Sequence, residues 1–378
     1  MNLSKEKQIY LQKNFTAAFT VTGKDRDFRF DVIKVVGLLC IILAHIGVSE
    51  VIFQLRNFDV PLIVLSSGAL FSYSTERTPR SPIGYIGRRL LRLSVPSWLF
   101  LGLFFFPLTA VVRWFIGQPF PYSLTDVGME FVFRSKIVGL WIVRVFMLVA
   151  MAAPFLLVLR HRMRTLAKFF LFLSATYIAY EIARAVIAYY APPELYKLLK
   201  VTLFEAIPYG CLFGFGMTLG AISRRYVALL ALFFFVAYLG LLWLHHDTGT
   251  VIWTQSYKYP PQIFYFSYAI AISLLLYLAS GALNPGTGPI TRLVVFMSSS
   301  MLWIYLWHWF FLGYWEILFP RTTSIPSWIF KNLTCRYLIV TALSVGIVYV
   351  QHLVVRALID RSGIKSRLGN ALDLAFLH

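Results

Sequence analysis

One apolar stretch near the amino terminus, FDVIKVVGLLCIILAHIGVSEV, carries Asp31 and Lys34 close to its start and His45 deep within it. Ionisable groups at membrane depth are costly and face protein or water-filled cavities rather than lipid, so each is a functional candidate. Lys34 and His45 are eleven residues apart, which is about three helical turns plus 20°. A helix here puts both on one face, about 16 Å apart along its axis. One end of that stripe is cationic. The other carries an imidazole, the side chain whose unperturbed titration falls near neutral pH.

A second set of cations opens the third apolar run, YIGRRLLRLSVPSW, where Arg88 is followed by Arg89 and Arg92, three residues apart. Arg89 and Arg92 are neighbours on one helical face, and guanidinium forks match phosphate oxygens. The same residues equally suit the bland reading, a cytoplasmic edge marked by positive charge. The ninth run, SSSMLWIYLWHWFFLGYWEI, carries His308. It lies about fifteen residues into its run and His45 about fourteen into the first, so straight helices of one direction put both at similar depth. A buried histidine is more often a hydrogen-bonded core residue than a catalyst, but two at one depth strengthen the functional reading. Arg144, Glu181, Arg184 and Glu205 fall in the outer halves of the fourth to sixth runs. Glu181 and Arg184, three apart, are placed to pair with each other and lower their burial cost. The pattern suggests a phosphate-friendly inner vestibule and a polar outer chamber, to which His308 would also contribute.

Competing chemistries leave no trace. The sequence has no HExxH, GxSxG or Walker motif and no CxxC pair, which removes the common signals for zinc hydrolysis, the nucleophile elbow and nucleotide cradles. His245, His246 and Asp247 lie together without a further ligand cluster, so no metal site is expected. Cys40, Cys211 and Cys335 fall in or beside apolar runs and read as small core residues.

The elements that must position these groups follow from composition. Hydrophobic residues make up 59% of the chain and charged residues 13%, with a mean hydropathy of +0.71. Soluble domains carry about 25% charged residues, so the chain is expected to be an all-α, polytopic membrane protein. Ten runs of spanning length lie near 31–50, 58–75, 90–112, 137–159, 166–190, 203–222, 226–244, 262–282, 293–317 and 335–357. The second contains Pro61 and Gly68 and is expected to be irregular or partly re-entrant. With the amino terminus inside, the inner segments hold 22 Lys and Arg and the outer segments ten. This obeys the positive-inside rule and puts both termini in the cytoplasm. The net charge of +19 is thereby a mark of orientation, and no polar domain presents it to nucleic acid. Residues 1–30 read as a polar cytoplasmic segment without a cleavable signal. Residues 359–378 read as a cytoplasmic tail with a short interfacial helix through Leu368, Leu372 and Phe376. The whole of 1–378 reads as one domain.

The order of these motifs resembles the acyltransferase-3 family of integral membrane acyltransferases, particularly its bacterial sugar and polysaccharide O-acetyltransferases. That family's first helix carries a basic residue, ten intervening residues and then His, here Lys34 and His45; its third begins with Arg-x-x-Arg, here Arg89 and Arg92. FDVPLIVLSSGALF, IPYGCLFGFGMTLG and SSSMLWIYLWHW resemble its second, sixth and late Ser-rich helices. The resemblance implies acetyl-CoA or another acyl-CoA as a cytoplasmic donor substrate, with no tightly bound cofactor. It further implies an acceptor hydroxyl on a surface polysaccharide or its lipid-linked precursor, and so a place in the bacterial inner membrane beside surface-polysaccharide biosynthesis proteins. Lys34, Arg89 and Arg92 would hold donor phosphates, and His45 would act as general base or transient acyl carrier. The chain shows no appended SGNH hydrolase-like domain after its last run, so this unit either completes transfer or hands the acyl group on. A flippase or other multi-pass transporter using the same ionisable residues stands as the alternative, though no repeated halves are visible. A polysaccharide polymerase is a third, and usually shows larger external loops.

Overall fold

The computed structural model describes residues 26–77, 81–115, 117, 119–134, 137–244, 253–283, 286–318, 332–362 and 367–377. Most of the amino-terminal segment and the His245–Asp247 cluster lie outside them. The molecule is 84% helical and has no strand among the described residues. The helices are α1 (Phe28–Ala44), α2 (Glu50–Leu55), α3 (Asp59–Arg77), α4 (Pro82–Ala110), α5 (Leu124–Phe131), α6 (Trp141–Arg162), α7 (Leu166–Tyr190) and α8 (Pro193–Lys200). They continue as α9 (Leu203–Gly216), α10 (Arg224–Leu244), α11 (Ile263–Ser280), α12 (Pro289–Ser299), α13 (Met301–Leu318), α14 (Leu333–Ser362) and α15 (Arg367–Phe376).

Seven helical segments among the described residues are long and apolar enough to cross a membrane. They are Pro82–Trp114, Trp141–Arg162, Leu166–Tyr190, Pro193–Ala221, Arg224–Leu244, Ile263–Ser280 and Leu333–Asp360. An eighth is reached if α12 and α13, bent by 82° at Ser300, count as one span. The two remaining apolar runs fold as α1 and α3, helices of 17 and 19 residues. This is an all-α, multi-pass membrane protein.

The chain divides into two compact units. The first gathers Met1–Val48, Ser94–Pro121 and Leu283–His378, and the second gathers Ser49–Leu93 and Tyr122–Ala282. In the first, α1 packs on α12, α13 and α14, and α15 packs on α14. The tail helix is anchored: Trp303 stacks on Phe376 at 5.3 Å and its Nε1 donates to the Ala375 carbonyl at 2.9 Å. In the second, α9 is the hub, packed against α3, α6 and α7, while α10 lies along α11.

Three local expectations change. The first run is not helical to residue 50. α1 stops at Ala44, His45 is its C-cap, and Gly47 at φ +81° turns the chain toward α2. That backbone region favours glycine. The ninth run is broken at Ser300, between the end of α12 and the start of α13, where three serines add side-chain hydrogen bonds. Ser299 Oγ donates to the Val295 carbonyl at 2.9 Å, and Ser298 and Ser300 reach other helices. The second run is a regular, continuous helix rather than an irregular one. Pro61 falls in the first turn of α3, where a helix has no internal use for the missing N–H, and Gly68 is a contact rather than a break. An added Cβ there would lie 2.1 Å from the Phe213 carbonyl oxygen of α9.

Candidate active site

In the first unit, the face of α1 that carries Lys34 and His45 meets both limbs of the bent α12–α13 pair. Lys34 Nζ donates to Ser298 Oγ at 3.3 Å, and Ser298 Oγ donates to Asp31 Oδ1 at 2.6 Å. Arg26 closes on the same carboxylate through two hydrogen bonds of 2.6 Å. The buried Asp31 is thus held by a guanidinium fork and a hydroxyl, the arrangement a desolvated carboxylate requires. At the bend itself, Ser300 Oγ lies 3.4 Å from His352 Nε2, and both residues are buried.

One limb further, His308 Nε2 lies 3.3 Å from His45 Nδ1. His308 is wholly buried, and its Nδ1 contacts the Tyr305 carbonyl one turn back on α13. His45 is half-buried and packs on the Trp309 indole, with ring centroids 4.4 Å apart. Trp309 Nε1 is a buried donor with no hydrogen-bond partner among the described residues. Such donors are rare in native proteins and mark places where a ligand or water completes the pairing. Gly313, one turn beyond Trp309, lets the Phe104 ring approach; a Cβ there would meet it at 3.0 Å.

In the second unit, Arg144 and Glu205 form a two-point pair between α6 and α9, with Nε–Oε2 at 2.9 Å and Nη2–Oε1 at 2.7 Å. Arg144 Nη1 also donates to the Phe133 carbonyl. Glu181 and Arg184 pair at 3.1 Å along α7. Glu181 also accepts from the Tyr177 hydroxyl at 3.1 Å and from the Ile263 backbone N–H at 2.6 Å, capping the start of α11. Arg89 and Arg92 are half-buried and Arg88 exposed on the first turns of α4.

The sequence model of the acyltransferase-3 family, described as an acyltransferase domain, matches residues 27–352. The chain belongs to that family. No curated protein and no solved structure matches it.

Within this acyltransferase-3 chain, the first unit joins His308 to His45. Arg144, Glu205, Glu181 and Arg184 belong to the second unit and form two ion pairs there. Sequence reasoning missed a further cluster in that unit. Lys258 Nζ lies 3.0 Å from Asn57 Oδ1 and 3.5 Å from Asp59 Oδ1, and Arg56 Nη1 donates to Asp59 Oδ2 at 2.7 Å. Trp141, Tyr259 and Tyr265 surround the ammonium at 5.5–5.7 Å. Burial pushes the Lys258 ammonium down to about 8, against the opposing pull of Asp59. Lys258 is one of the ten cations of the outer segments in the sequence count, and no spacing rule links it to Asn57, some two hundred residues away. Trp309 and Ser298 were inside quoted motifs, yet their roles depend on contacts that linear spacing does not carry.

Proposed function

We propose that this membrane acyltransferase moves an acyl group, acetyl in the first instance, from cytoplasmic acyl-CoA to a hydroxyl of a surface polysaccharide or its lipid-linked precursor. His45 is the general base. Its imidazole takes the proton of the acceptor hydroxyl as the oxygen attacks the thioester carbonyl. Collapse of the tetrahedral intermediate expels the CoA thiolate, which recovers the proton from His45. The orphan N–H of Trp309, on the ring packed against His45, is a suitable donor to the developing oxyanion. Lys34, Arg89 and Arg92 carry the cationic positions of the family motifs and are assigned to the donor's phosphates. Both termini lie in the cytoplasm of a bacterial inner membrane in this reading, which the distribution of Lys and Arg supports.

The observation that carries the proposal is the histidine pair. It places an oriented imidazole at the end of α1, beside an unpartnered buried donor. The test is transfer from labelled acetyl-CoA to native glycan by purified protein in liposomes. His45→Ala should abolish transfer while expression and melting temperature stay unchanged. Arg89→Ala and Arg92→Ala should raise the KM for the donor and leave that for the acceptor. Full transfer by the His45 variant, or glycan movement that needs no acyl-CoA, overturns the enzyme reading and favours transport.

A further inference from the structure

We propose that His308 is a positioning residue for His45, fixing which of the two ring nitrogens of His45 carries the basic lone pair. The inference rests on the general-base reading above and deepens it by assigning a function to the second histidine of the pair.

The logic is one of donors and acceptors. A backbone carbonyl only accepts, so the contact between the Tyr305 carbonyl and His308 Nδ1 puts a proton on that nitrogen. In the neutral ring the other nitrogen, Nε2, then has a lone pair and no proton. His308 is wholly buried, so solvent cannot exchange these roles. That lone pair faces His45 Nδ1 at 3.3 Å. A second lone pair at that distance would oppose it, so His45 must present an N–H from Nδ1. The basic lone pair of His45 is thereby assigned to Nε2. One carbonyl sets the tautomer of one ring, and that ring sets the tautomer of the next.

The arrangement also serves the charged state. When His45 Nε2 accepts a proton, its Nδ1–H goes on donating to His308, so no partner has to rearrange during the reaction. This is the orienting role a buried carboxylate performs for the histidine of a serine-protease triad, executed here by a neutral acceptor. The Trp309 indole, packed on His45 at 4.4 Å, limits tilting of the imidazole. Tyr305, His308 and Trp309 are all on α13, so the helix presents the whole device as one rigid piece.

The experiment compares His308→Leu, which removes the acceptor, with His308→Gln, whose amide oxygen can accept from His45 Nδ1. His308→Leu should lower kcat by about 100-fold, the lower end of what general-base catalysis contributes, with the KM for acetyl-CoA unchanged. His308→Gln should recover to within about tenfold of the parent, since it restores the acceptor. The structural readout is the 15N spectrum of His45 in selectively labelled full-length protein, assigned by its loss in His45→Ala. The parent and His308→Gln should show Nδ1 protonated and Nε2 bare, and His308→Leu a mixture of tautomers. A parent spectrum with the proton on Nε2 overturns the proposal regardless of any variant. So does a folded His308→Gln as inactive as His308→Leu, or a His308→Leu with the parent's kcat. If His45→Ala keeps activity while the tautomers are as expected, the base reading fails and the positioning contact stands.

Discussion

Adding one methyl group at Gly216 tests how α3 and α9 are held together. The Cβ of an alanine there would lie 2.1 Å from the Leu65 carbonyl oxygen and 2.9 Å from its carbon. The converse holds at Gly68, whose added Cβ would lie 2.1 Å from the Phe213 oxygen and 3.0 Å from its carbon. A carbon rests on a carbonyl oxygen at about 3.3 Å or more, so either substitution demands a retreat of about 1.2 Å. The obstacle is helix backbone and cannot rotate away. A gap of 0.5–1 Å forfeits about a quarter to a half of each dispersion contact. Overpacking of this type costs about 1–3 kcal/mol, and the absence of a movable side chain puts these sites at the upper end. We therefore expect Gly216→Ala and Gly68→Ala each to lower the melting temperature of the detergent-purified protein by roughly 5 °C. The double variant should cost less than the sum, because one separation of the helices relieves both clashes. Gly87→Ala and Gly240→Ala serve as controls: both are helical with nothing within 4 Å of the added Cβ, and alanine there should be neutral or stabilising by up to about 1 kcal/mol. Gly216→Ala and Gly68→Ala melting with the parent would refute the close approach of the two helices.

Two further outcomes follow from the buried charges of the second unit. Glu205→Gln strands the Arg144 guanidinium, whose side chain is 15% exposed, and should cost about 3–5 kcal/mol in denaturant unfolding; Arg144→Met with Glu205→Met should cost less, since no lone charge remains. A cycle in which the double variant is the worse would reject the pair as described. Lys258 gives a pH signature. Its folded value of about 8 lies below the ordinary 10.5, so from about pH 8 to 10.5 the unfolded chain holds a proton that the folded chain has lost. Stability contributed through Lys258 therefore rises with pH across that window and is flat below it. Unfolding at pH 7.5, 9 and 10 should show this rise in the parent and a smaller one in Lys258→Met; equal slopes would place the ammonium in solvent.

Much of this was legible in the chain. In a bilayer the backbone is satisfied only in helices or a closed barrel; continuous apolar runs of about twenty residues select helices, and the ten runs mark where the helical cores lie. The basic residue and histidine eleven apart, followed by the paired arginines, point to the acyltransferase-3 family that the match over residues 27–352 shows. The Glu181–Arg184 pair is also a matter of spacing, because i and i+3 are neighbours on any helix. Other features had no local signature. Arg144 finds Glu205 across 61 residues, and Asp31 finds Ser298 across 267. Such pairings depend on which helices become neighbours, which residue periodicity does not encode.

The histidines show the division most clearly. Sequence put His45 and His308 at matched depth by counting along straight helices. The structure brings them to 3.3 Å although α1 ends just before His45 and the other run bends by 82° at Ser300. What the sequence determined was the supply of groups: a helical membrane protein with a cation and an imidazole on one face of its first helix. What only the tertiary structure decided was their pairing. The reason is that a ring nitrogen pairs with whatever polar group lies nearest in space, and for His45 Nδ1 that group is the Nε2 of His308, 263 residues further along the chain.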